Sequence, residues 1–173
     1  LDNPGNGIGK FGMGLPNSSV SQAKHVDVYT WKDGVENAIY SYIDVDEISS
    51  GAMTTVQSPI KLAIPDKWLK RTTFADSGTL VIWKNLDRVS WTQGQTIIRN
   101  SELLIGRMYR YFLHDGQVKI SMKVFNGDSA DHTPSFQKLA LPNDPLYLMK
   151  NTSCAAPFDN EAMFTEGGFE PLE

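Results

Sequence analysis

The residues best suited to chemistry stand at the start of the chain. Gly5, Gly7, Gly9, Gly12 and Gly14 fall within ten positions, with Lys10 among them. Glycines at this density let successive main-chain N–H groups turn toward one anion, and a helix that follows adds its positive end. That is phosphate-binding chemistry, and a triphosphate tail is its natural guest. Two familiar versions fail on the residues. Gly7-Ile8-Gly9-Lys10-Phe11-Gly12 fits G-x-G-x-x-G, but a dinucleotide site needs a strand before the glycines and an acidic residue at the end of the next strand. No strand-like run precedes Gly7, and Asp27 falls inside its strand. A P-loop needs Ser or Thr after its Gly-Lys pair; here Phe11 follows Lys10, and Pro4 stands where the first glycine belongs. A glycine loop with no ligand is the plain alternative.

Other chemistry finds less support. His25, His114 and His132 lack metal-ligand spacing and read as surface or structural histidines. There is no G-x-S-x-G elbow for a serine hydrolase. Asp44, Asp46 and Glu47 read as a solvated surface turn. Lys67, Lys70 and Arg71 form a modest basic group around Trp68, too few charges to indicate nucleic acid. The aromatic stretch Arg107 to Phe112 reads as helix packing. Cys154 is the one cysteine, so no intrachain disulfide forms, and it reads as a plain thiol in a reducing compartment.

The elements that would position these residues follow from spacing. Pro16 suits a first helical turn and Lys24 a helix end, so a helix is expected across Leu15 to Lys24. His25 to Trp31 and Glu36 to Asp44 alternate, and Asp33-Gly34 between them predicts a hairpin. Residues 45 to 76 are irregular, with a helical turn at Asp66 to Arg71. Gly78 to Lys84 is nearly continuous apolar sequence, which predicts a strand covered on both faces. Gln95 to His114 is the best helix, with Ile97, Leu104, Ile105, Met108 and Phe112 as its apolar face, stopped by Asp115-Gly116. Val118, Ile120, Met122 and Val124 predict a strand with one wet face. After residue 127, five prolines break any long element, so 128–173 reads as a connector or the start of a further domain. A 173-residue chain with 40% hydrophobic residues supports a real core, and a net charge of −4 argues against a chain-wide phosphate-gripping face. No apolar run is long enough to span a membrane.

Taken together, Ile8-Gly9-Lys10-Phe11-Gly12-Met13-Gly14-Leu15, the helix with Ser18, Ser19 and Ser21, and Ser77-Gly78-Thr79-Leu80-Val81-Ile82 resemble one family. They are similar to the glycine box, helix and Gly-Thr strand of the gyrase B, heat-shock chaperone, histidine kinase and MutL (GHKL) ATPases. The Microrchidia-like or bacterial heat-shock-like branch is nearest, and the likeness runs over roughly residues 5 to 126. The resemblance implies an α+β, two-layer Bergerat-type ATP-binding fold: a mixed, largely antiparallel sheet with helices on one face. Residues 1–127 would be the C-terminal portion of that domain. Gly9, Lys10, Phe11, Gly12, Met13, Gly14 and Leu15 would hold the phosphates of ATP, and Thr79 would help on the base side. The family's water-activating glutamate, its magnesium-holding asparagine and its Asp-x-Gly-x-Gly segment are expected upstream of this chain, as is the Mg2+ they hold. The implied partners are ATP and a second copy in a nucleotide-dependent homodimer, with the protein cytoplasmic. Nucleotide would drive a conformational switch that hydrolysis resets, while this segment alone would turn over little ATP. The alternative is a degenerate, non-catalytic GHKL-like scaffold that mediates assembly.

Overall fold

The computed structural model describes residues 12–127 and 132–163. The chain divides into two compact units, Leu1–Ser90 and Trp91–Glu173. The architecture is α+β, and among the described residues every strand pair is antiparallel.

The first unit opens on helix α1, Gly14–Val20. Pro16 sits in its first turn, where a missing N–H costs no helical bond. The Ser18 hydroxyl donates back to Gly14 O at 2.7 Å, and that of Ser21 to Ser18 O at 2.7 Å. Such side-chain bonds compete with the helical ladder and keep the element short. The expected helix therefore ends before Lys24, which is already in β1, Ala23–Trp31. Strand β2, Ile39–Asp44, starts later than the alternation suggests, because Val35–Asn37 forms a 3-10 turn after Gly34. Helix α2, Val45–Ser50, follows directly. Strand β3 is Ile60–Lys61, helix α3 is Asp66–Leu69 and strand β4 is Gly78–Leu86.

The sheet order is β3-β2-β1-β4. Strand β1 is central, with His25 opposite Asp44 on one side and Lys84 on the other. Side chains alternate across a strand, so Ala23, His25, Asp27, Tyr29 and Trp31 share one face with Tyr40, Tyr42, Asp44, Leu80, Ile82 and Lys84. Val26, Val28 and Thr30 share the other with Ser41, Ile43, Thr79, Val81 and Trp83. The core lies on the first face: Tyr29, Trp31, Ala38, Ile64 and Ile82 are buried, with Trp68 of α3 and Phe74 packed on them. The Trp31 indole donates to Ala75 O at 2.9 Å and meets Phe74 edge-on. Gly78 is required at this contact, since a Cβ there would stand 2.6 Å from the Trp31 ring. Helix α1 packs on the second face, where Ser19 is buried and accepts from the Trp83 indole at 2.9 Å. Helical segments thus lie against both faces rather than one.

Two further expectations change here. Strand β4 is at the sheet edge, and from Trp83 to Leu86 it is exposed, so it is not covered on both faces. The acidic turn at Asp44, Asp46 and Glu47 is a helix start: Asp44 Oδ1 accepts from the main-chain N–H of Asp46 at 2.9 Å and of Glu47 at 3.0 Å. An Asp N-cap with acidic residues in the first turn suits the helix dipole.

The second unit begins with helix α4, Gly94–Met108, and helix α5, Arg110–His114, separated by Tyr109 at φ −104° and ψ 14°. The single long helix expected from the sequence is therefore broken. Its phase also differs. Ile98 and Gly106 are buried, whereas Ile97, Leu104, Met108 and Phe112 are exposed. Gly106 explains the rotation, because chain 141–143 lies directly on it and a Cβ there would be 2.6 Å from Leu141 O. Strands β5, Ser121–Val124, and β6, Phe136–Leu139, form a separate hairpin. The buried Asp144 carboxylate organises the following loop by accepting from the N–H groups of Leu146, Leu148 and Met149.

Candidate functional site

Of the residues read from the sequence as phosphate-binding, Gly9, Lys10 and Phe11 lie outside the described residues. Gly12, Met13, Gly14 and Leu15 form the entry to α1. Gly12 has φ +68°, the left-handed region that glycine alone enters without steric cost. Met13 is the N-cap, and its side chain makes no capping bond. The first N–H groups of a helix have no partner within the helix itself. Met13 and Leu15 are exposed. An added Cβ on Gly12 or on Gly14 would meet nothing within 4 Å, so both glycines border open space.

Leu15 and Pro16 also wall a cavity of about 230 Å3 on the second sheet face. Ser19, Val26, Val28, Ser41, Tyr42, Ile43 and Val56 complete it. Its walls are largely apolar, and its two serine hydroxyls are occupied. Ser19 accepts from Trp83, and Ser41 donates to Gln57 O at 3.0 Å. Thr79 stands further along the same face. It pairs with Thr30, two residues beyond Val28, and the two hydroxyls are 3.2 Å apart. The Thr30 hydroxyl also lies 3.1 Å from Gly78 O. Thr79 is exposed at the start of the edge strand, not at the end of a buried one. The fold thus brings the end of the glycine box, the cavity and Thr79 onto one face of the sheet.

The opposite face carries a cluster that the sequence reading missed. Asp27 is 1% exposed. Its Oδ1 accepts from the Tyr40 hydroxyl at 2.8 Å and meets His25 Nε2 at 2.9 Å, while Oδ2 pairs with the Lys84 ammonium. His25 Nδ1 lies 2.7 Å from Asp44 Oδ2. Both ring nitrogens thus face carboxylates, and the ring stacks on Tyr42 at 5.4 Å. Burial opposes the imidazolium, but the bonds to Asp44 and Asp27 outweigh it and raise the His25 pKa above its usual 6.5. Burial likewise opposes the Asp27 carboxylate, yet Lys84, Tyr40 and His25 hold its pKa below the ordinary range. His25 lowers Asp44 as well, with help from the α2 amides. Burial and the bond to Asp27 push the Tyr40 phenol well up. One signal was available in the sequence. His25 and Asp27 alternate with Tyr29 and Trp31, which places two ionisable groups on a strand's core face.

Among the described residues, no group of three His, Cys, Asp or Glu side chains is arranged to hold a metal ion. No described helix is long and apolar enough to cross a membrane. Comparison of the chain with protein-family models, curated proteins and solved structures finds no match.

Proposed function

We propose that this chain binds the phosphate tail of ATP through main-chain amides of residues 9–15, as part of a GHKL-type ATPase with a Bergerat-type fold. The observation that carries the reading is the junction at Gly12 to Leu15. A glycine in left-handed conformation leads into a helix start whose N-cap, Met13, makes no side-chain capping bond, bordered by open space and an apolar cavity. Main-chain N–H groups in the first turn of a helix favour an anion, because they and the helix dipole act in the same direction. The apolar walls beside it suit the flat, weakly polar part of a nucleotide. Thr79 on the same face supplies a hydroxyl for the base side, and in the family resemblance Lys10 would neutralise phosphate charge.

The described residues hold no set fitted to Mg2+, so no step through the metal is assigned to them. The chain's own contribution is binding and orientation of the phosphates. In this reading water activation is the role of the family's glutamate, and the nucleotide-driven switch and dimer follow from the same resemblance.

The test is nucleotide titration of the full-length protein and of Gly14→Val. Gly14 sits in ordinary helical backbone with free space around it, so the variant should keep its thermal stability. Its new side chain would stand where the phosphates approach, and affinity for a nonhydrolysable ATP analogue should fall at least tenfold, about 1.4 kcal/mol. An unchanged affinity counts against the assignment.

A further inference from the structure

The cluster on the opposite face has a mechanical consequence for the cavity wall. Asp44 is both the partner of His25 and the N-cap of α2. Helix α2 leads straight into residues 51–57. There Met53 is buried and donates its N–H to Glu47 O at 3.0 Å, Gln57 O accepts from Ser41, and Val56 lines the cavity beside Leu15. One carboxylate therefore ties the start of this segment to β1.

We infer that protonated His25 is a latch that holds Asp44, α2 and the Met53–Val56 wall of the cavity against β1, and that loss of the proton releases them. The inference does not depend on what the cavity holds. A neutral imidazole has one N–H, so either tautomer leaves a ring lone pair facing a carboxylate. Asp27 is fixed in mid-strand by Lys84 and Tyr40, whereas Asp44 stands at the end of β2, so Asp44 is the partner that yields. The groups around the ring are Asp27 on β1, Tyr40, Tyr42 and Asp44 on β2, and Lys84 on β4. Nearby on α2, Asp46 pairs with Lys24 and Glu47 accepts from Tyr42. The Tyr40 phenol is pushed well up and the Asp27 and Asp44 carboxylates are held low, so His25 is the member of this set that changes state near neutral pH.

The experiment is amide hydrogen exchange by NMR on the 173-residue chain between pH 5.5 and 9, read as protection factors. Protection of the Asp46, Glu47 and Met53 amides should decline by up to about tenfold per pH unit, the slope of one proton. The decline should begin near 6.5 and level off above the titration of His25. In His25→Asn these amides should show no such pH dependence, and His114→Asn, at an exposed site in α5, should behave as wild type. Flat protection in the wild type, or an undiminished pH dependence in His25→Asn, overturns the latch. Where His25→Asn does not fold, the ring Cε1 proton resonance of wild-type His25 decides. A midpoint above 6.5 that coincides with the loss of protection supports the latch. A midpoint below 6.5, or loss of protection at another pH, overturns it.

Discussion

At the scale of single residues, Asp27 is the most constrained side chain described. A carboxylate at 1% exposure is tolerated because a cation, a phenol and an imidazole all donate to it. Asp27→Asn removes the charge, leaves Lys84 without its carboxylate and leaves His25 with Asp44 alone. The expected cost is about 2–4 kcal/mol in urea unfolding, near the range for breaking a buried pair. Lys84→Met should cost less, because Lys84 is half exposed and Asp27 keeps two other donors. Acid should act through the same groups. The Asp27 and Asp44 pKa values are lowered in the folded state, so their stabilisation is complete above the ordinary carboxylate range. It disappears as pH falls through the lowered values. His25 works in the opposite sense: its stabilisation is complete below 6.5 and is lost as pH rises through its raised value. Melting temperature against pH should therefore form a plateau between the two limits, and Asp27→Asn should weaken both edges. A profile rising steadily to pH 9 would contradict this.

At the scale of elements, caps and close approaches decide what the hydrophobic pattern leaves open. Asp44→Ala removes both the α2 cap and the His25 partner. Loss of the cap alone costs about 1 kcal/mol, and Asp44→Asn, which can still cap, should fall between it and wild type in thermal unfolding. In the second unit, Gly106→Val should cost about 1–3 kcal/mol by forcing a side chain into Leu141 O. Leu104→Ser, at 61% exposure, should stay within about 0.5 kcal/mol. The reverse order would restore the helix face that the spacing predicts. This is where legibility ended. Strict alternation marked β1 and much of β2 and β5, and Pro16 marked the start of α1. Periodicity cannot tell which of two neighbouring faces packs, and the small residue Gly106, not the apolar stripe, turned out to meet the chain. A continuous apolar run likewise does not separate an edge strand from a central one, which is why β4 reads as more buried than it is. The α2 helix was hidden because its cap and first turn are acidic and look like solvated loop. Its logic becomes visible only when Asp44 is seen beside His25, 19 positions away in the chain.

At the scale of the whole molecule, the α+β character and the antiparallel sheet were legible, and so was the glycine-rich entry to α1. The cavity was not, since Leu15, Val28, Ile43 and Val56 come from four separate stretches of sequence and meet only through sheet register and α1 packing. The proposed function turns on one claim, that the amides leading into α1 receive the phosphates of a nucleotide. NMR titration of the full-length protein with a nonhydrolysable ATP analogue tests it most directly. The account predicts saturable shifts at the Gly12, Met13 and Gly14 amides and at Thr79, strongly reduced in Gly14→Val at unchanged melting temperature. Saturable binding that leaves these amides unmoved, or equal affinity in wild type and Gly14→Val, would contradict it.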